Sequence, residues 1–254
     1  MTQTPDAVCV QSLVALFTID DRPPGRRAPG QPPKELKVLL LGPEGDSGAW
    51  RLPGGPVTGQ DTLVRAALRT LGEGVGPGIH LEQLRTYDDL DPGPPRTIVV
   101  AHIGLVPPAV REAVRPSSPA TWVPVDEPPL HAPGRLPLVA GHARVLAEAL
   151  QRLRNKVDYT LLAFQMLPEE FTMSELRQVY EAILGEDLGT SDERRKANFE
   201  RSIRLLNERV GRLMEARTGV FQPPIVRTGR TRKGPRGPAA HLYRFVGDIT
   251  LITK

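Results

Sequence analysis

The acids and bases between Gly55 and Gly76, in the run GPVTGQDTLVRAALRTLGEGVG, are the first residues whose spacing could do chemistry. Carboxylates three and four apart share a helix face and can converge on a divalent cation over a diphosphate. That task needs several acids, and after Asp61 this run offers only Glu73. One carboxylate leaves Mg²⁺ weakly held and the diphosphate charge poorly neutralised, so efficient hydrolysis is not expected and no catalytic or metal site is assigned. Asp61 and Arg69, opposite in charge and eight apart, read instead as a structural pair, and the glycines permit the turns at either end. The bland alternative for Arg69 and Glu73 is surface charge on an amphipathic helix.

A second set of residues suits a polyanion. At 100° per residue from Asp192, Phe199, Ile203 and Leu206 fall on one side of a helix, and Arg194, Ala197, Arg201 and Arg204 on the other, with Asn198 at the edge. Arg pairs bidentately with guanine and Asn with adenine, so Arg194, Asn198 and Arg201 are candidates for base contact, and Arg195 and Lys196 for phosphate. Arg230, Arg232 and Lys233 in GRTRKGPRGPAA form a cationic hairpin suited to the DNA backbone. The alternative is a salt-bridged surface helix.

The elements that must position these residues follow from composition and periodicity. A chain of 254 residues with 39% apolar and 24% charged content has room for two domains. No stretch approaches the roughly 18 apolar residues of a membrane span, and the N-terminus lacks a basic-then-apolar leader. A lone Cys9 offers no internal disulfide, so the cytoplasm is the expected compartment. The net charge of +4 is uneven: residues 192–244 hold 14 Lys and Arg against 5 Asp and Glu. Five histidines show no metal-ligand spacing, and no cofactor is implied.

Residues 8–19 and 36–41 read as strands around a Pro/Gly/Arg segment, 21–34, expected as a mobile loop; 61–71 reads as helix and 98–106 as strand. Pro-rich turns over 124–137 lead to a helix in which Leu146, Leu150, Leu153 and Val157 share a face, and the domain boundary falls near Asn155, giving domains 1–154 and 155–254. Thr172 and Glu175 form a capping box opening a helix through Leu184, stopped by Gly185. A turn over 186–191 then precedes a second helix, about 192–206, and strands at 225–228 and 241–245. The fold class is α+β: a mixed domain followed by a winged helix-turn-helix.

The run from Gly55 resembles the Nudix box: Gly, five residues, Glu, seven residues, Arg-Glu, an aliphatic, any residue, Glu-Glu, any residue, Gly. Gly55, Asp61, Arg69, Leu71, Glu73 and Gly76 take their places without gaps, while Thr70 and Gly74 stand where two glutamates are usual. Trp50-Arg51-Leu52-Pro53-Gly54-Gly55 looks like the usual lead-in. The segment from His80 to Asp89 (HLEQLRTYDD) resembles the Leu-Glu-Gln-Leu-x-Thr-Tyr stretch of the Nudix-related transcriptional regulators that respond to ADP-ribose, and residues 237–244 (GPAAHLYR) resemble their C-terminal Pro-Ala-x-Leu-Tyr. Leu136-Pro137, His142, Leu153-Arg154, Phe171-Thr172 and Asn198-Phe199 fit the same pattern, so the resemblance covers nearly the whole chain.

The resemblance implies a Nudix-like α/β/α sandwich fused to a winged helix. It further implies a homodimeric, non-membrane repressor on a double-stranded DNA operator of NAD-metabolism genes, with ADP-ribose or a related nucleotide sugar as effector. Ligand contact is then expected from Arg51, Gly54, Gly55, Arg69, Glu73 and Tyr87. Tyr87 and Trp122 could stack on an adenine, although core positions are the commoner fate of such rings. The rival expectation is an active hydrolase of ADP-ribose-like substrates with an accessory C-terminal domain.

Overall fold

The computed structural model describes residues 8–23, 25, 31–43, 48–72, 79–90, 95–116, 118–126, 137–157, 159–186, 188, 193–234 and 238–247. The chain divides into two compact units, 1–18 with 36–155 and 19–35 with 156–254. The segment 19–35 is thus counted with the C-terminal residues, and strands β1 (Cys9–Asp21) and β2 (Lys34–Leu41) cross the division.

The first unit is built on a mixed sheet of order β4-β5-β1-β2-β6, with β3 (Gly54–Pro56) paired antiparallel to β1. Strand β5 (Thr97–Leu105) runs parallel to β1, with Leu13 opposite Ala101, and antiparallel to β4 (His80–Tyr87). Strand β6 (Ala120–Pro124) closes the other edge on β2. Every β1 residue from Leu13 to Thr18 is buried. A strand that reads apolar without alternation needs cover on both faces, as in α/β sandwiches. Helix α1 (Leu63–Leu68) covers one face: Ala67, with Leu71 just beyond it, packs with Val14, Leu16 and Leu39. A one-turn helix α2 (Pro108–Arg111) follows β5, and α3 (His142–Val157) buries Val145, Leu146, Ala149 and Leu153.

The base of the segment expected to be a mobile loop is tied. Arg22 donates its backbone N–H to Pro33 O at 2.9 Å. Its guanidinium meets Glu35 at 3.3 Å, with both side chains almost fully buried. Two charges are buried together only when they neutralise each other, so this end of the β1–β2 arm is pinned. Residues 26–30 lie outside the described part.

In the second unit, helix α4 (Met173–Leu184) begins at the expected capping box: Thr172 Oγ1 accepts from Glu175 N at 3.1 Å and Glu175 Oε2 accepts from Thr172 N at 2.7 Å. Gly185, at φ +77°, ends it in the left-handed conformation that glycine adopts without strain. Helix α5 runs from Glu193 to Thr218, twelve residues past the expected end at Leu206, because residues 207–218 contain no proline and keep burying Val210 and Gly211. Glycine at 211 has a packing reason: a Cβ there would lie 2.6 Å from the Phe221 ring.

Strands β8 (Ile225–Arg232) and β9 (Ala240–Phe245) form the wing, β8 reaching four residues beyond the expected Thr228. A two-residue strand β7 (Glu170–Phe171) joins them in the order β7-β9-β8. Phe164 and Phe245 stack at 5.2 Å, and the Tyr180 ring meets Phe199 edge-on at 5.2 Å, locking α4 against α5.

Candidate functional site

In the first unit the motif residues are held by bonds to one another. Arg69 pairs with Asp61 and reaches Pro56 O at 3.3 Å, tying the end of α1 back to β3. The Thr58 hydroxyl donates to Asp61 at 3.0 Å and holds its carboxyl below the ordinary range, aided by Arg69 and Arg65. Thr70 Oγ1 accepts the Gly54 N–H at 3.0 Å. A Cβ on Gly54 would lie 2.1 Å from Ser12 O, and its φ of +129° is one that only glycine adopts comfortably. Gly55 has open space around it, and Arg51 bridges Leu41 from a half-buried position. Arg51, Gly54, Gly55 and Arg69 are therefore gathered at β3 and the end of α1. Glu73, with Gly74 and Gly76, lies outside the described residues.

Tyr87 is engaged elsewhere. It is 2% exposed, its hydroxyl donates to Glu148 Oε2 at 2.9 Å, and the guanidinium groups of Arg85 and Arg144 lie 5.4 and 5.3 Å from its ring centre. Burial, reinforced by Glu148, drives its phenol well above the ordinary range. Trp122 packs at the edge of the α1-facing core. Two residues that spacing did not single out as a pair fix the lead-in: His142 Nδ1 accepts the Leu52 N–H at 2.9 Å, which requires a neutral ring. Burial, with the nearby Arg51 charge, brings the His142 pKa down to about 4. The signal was the recurrence of His142 in the regulator pattern; the partner, 90 residues away, has no local signature.

In the second unit the phase of α5 is as expected: Phe199, Ile203 and Leu206 are buried, while Arg194, Arg195, Asn198 and Arg201 are exposed. Lys196 is half-buried, with Glu193 at 3.5 Å. Lys196, Arg201 and Arg204 line an open cavity of about 660 Å³ with the first residues of α4 and His241 of β9. Arg230, Arg232 and Lys233 are exposed on the wing. Two connections place these groups. Asn207 clamps the start of β8, its amide accepting from Ile225 N at 2.9 Å and donating to Ile225 O at 3.1 Å. Glu181, wholly buried and 3.4 Å from Arg177, accepts the Leu188 N–H at 3.1 Å and so holds the turn between the helices.

A mixed sheet domain with a Nudix-like glycine turn and helix, followed by two helices and a wing, defines the class of Nudix-like proteins that carry a winged helix. Residues 163–211 match the NrtR DNA-binding winged helix domain. Over 169 residues the chain is 31% identical to the "ADPR responsive transcriptional repressor NtrR" of Acinetobacter baylyi, covering 64% of this chain and 66%, just under two thirds, of that relative. The structure is similar to that of Shewanella oneidensis NrtR (TM-score 0.65, 25% identity, 93% of each chain) and to that protein in complex with a 27mer DNA (TM-score 0.62, 24% identity, 93% of each). A MutT/nudix family protein from Enterococcus faecalis shares the fold at 17% identity (TM-score 0.65, 96% of this chain and 90% of that one). The chain is thus similar to Nudix-related regulators, in its winged helix by sequence and over most of its length by structure, with the α+β fold the sequence implied. Among the described residues, no helix is long and apolar enough to cross a membrane.

Proposed function

We propose that the chain is a transcriptional repressor that binds a palindromic double-stranded operator as a homodimer and is controlled by ADP-ribose or a related nucleotide sugar in its Nudix-like domain. The observation that carries this reading is the exposed Arg194, Asn198 and Arg201 face of α5, set beside a cationic wing in a domain of the NrtR DNA-binding type. The relative named as an ADPR-responsive repressor supports the effector. Control of NAD-metabolism genes and a cytoplasmic location are part of the same proposal. Non-hydrolytic binding is supported by Thr70, whose hydroxyl is tied to Gly54 where a metal-holding carboxylate is usual. Arg51, Gly54, Gly55 and Arg69 form the ligand side of this reading, and the effector acts by binding better to the DNA-free arrangement.

Titration of the protein onto a labelled duplex from its own upstream region tests it. Arg201→Ala is expected to cost about 1–3 kcal/mol on the operator and little on random DNA. Arg232→Ala is expected to weaken both alike and to lower the salt slope by about 0.9. ADP-ribose should release the operator. No retardation of any duplex at low salt overturns the repressor reading. Mg²⁺-dependent cleavage of ADP-ribose at about 1 s⁻¹ or faster overturns the non-hydrolytic one.

A further inference from the structure

The outer face of the three-stranded sheet carries a row of opposed charges. Glu170 on β7 lies directly across from Arg244 on β9. Arg230 of the wing donates to the Glu170 carboxylate at 3.0 Å. Arg232 donates to Glu175 Oε1 at 2.8 Å and to the Glu170 carbonyl at 3.0 Å. Arg244 lies 3.7 Å from Glu170 and 3.6 Å from Glu169.

Glu170 and Glu175 are more confined than the arginines they face. The Glu170 side chain is 16% exposed, whereas that of Arg230 is 71% exposed. Glu175 is held by the other end of its carboxylate, since Oε2 closes the capping box with Thr172 and leaves Oε1 facing Arg232. Glu175 cannot swing aside without opening the helix cap, and Glu170 is confined by its burial. An incoming phosphate therefore meets guanidinium groups already facing a carboxylate, which takes up donors and cancels part of the field that attracts a polyanion.

We propose that Glu170 and Glu175 act as internal stand-ins for phosphate, holding Arg230 and Arg232 in the DNA-free protein and restraining sequence-independent affinity. This rests on the DNA-binding reading above. The restraint acts on the backbone contacts alone, so it scales operator and random-DNA binding together and leaves their ratio unchanged. Exposed Arg–carboxylate pairs are individually weak, which places the effect at about 1.4- to fivefold per acid removed.

The test compares wild type with Glu170→Gln on the operator and on a random-sequence duplex across a salt series. Glu170→Gln is expected to bind both duplexes more tightly by the same factor, with a steeper salt slope. Glu175→Gln, which preserves the capping box because glutamine serves there, should do the same. In an Arg230→Gln background the gain from Glu170→Gln should shrink, since the released cation is gone. Wild-type binding with neither Gln variant tighter overturns the stand-in role alone. A gain confined to the operator overturns it too, by pointing to base contacts. If wild type retards no duplex at low salt, the DNA-binding reading falls and the stand-in role with it.

Discussion

Around β3 and α1, the polar side chains at motif positions are turned inward to their own fold: Asp61 to Arg69, Thr70 to the Gly54 N–H, His142 to the Leu52 N–H. On α5, Arg194, Arg195, Asn198 and Arg201 stand on exposed surface, and on the wing the exposed Arg230 and Arg232 pair with Glu170 and Glu175. The contrast separates two ways of using a polar residue. Hydrogen bonds inside a folded domain maintain a shape for which a ligand needs no further reorganisation. Charges at the surface act on a partner through a field that salt screens. Thr70, whose hydroxyl accepts a backbone N–H, belongs to the first kind of use.

The sharpest way to break the first region is Gly54→Ala. With Ser12 O 2.1 Å from the new Cβ and a backbone angle that alanine resists, a loss of roughly 3 kcal/mol or more is expected, or outright failure to fold. Urea unfolding of the purified variant measures it, and a midpoint equal to wild type would mean that the β1–β3 approach is not tight.

Next in size is a pH effect. His142 is neutral when folded, with its pKa lowered to about 4, and titrates near 6.5 when unfolded. The unfolded chain therefore binds the extra proton first, so the stabilisation is complete above pH 6.5 and is lost as pH falls towards 4. The loss amounts to about 3 kcal/mol at most. Unfolding midpoints from pH 7.5 to 4.5 should fall more steeply in wild type than in His142→Gln, and His102, also lowered by burial, contributes to the slope that remains. Parallel curves for the two proteins would show that the Leu52 bond tolerates a charged ring.

The smallest effect belongs to the second region. Asn207→Ala removes both bonds to Ile225 and is expected to cost about 1–2 kcal/mol. Because the clamp sets where the wing begins, operator affinity should fall further than the stability loss alone explains. An affinity loss with no change in stability would place Asn207 on the DNA instead.

What could be read from the sequence was local. The capping box needs residues three apart, the buried stripe of α5 needs steps of three and four, and Asp61 and Arg69 lie along one short segment, so each was visible from spacing. Contacts between distant positions were not: Tyr87 with Glu148, Leu52 with His142 and Arg230 with Glu170 join residues 60 to 90 apart, and no periodicity encodes such partners. Strand β7 escaped because two residues carry no alternation. The end of α5 was set too early because the helix continues past Leu206 on a thinner apolar stripe, Val210 and Gly211, than the one that defined its start.

That continuation makes α5 a long rod whose small tilts are amplified at its far end. Gly211, seated against the Phe221 ring, lies 17 residues from Arg194, or about 26 Å along the axis at the usual rise. A tilt of roughly 7° about that seat carries Arg194 through about 3 Å, the length of one hydrogen bond. Phe199, edge-on to Tyr180 between the two ends, would travel about 2 Å in the same tilt, so the packing of α4 along the rod is what holds its far end in place.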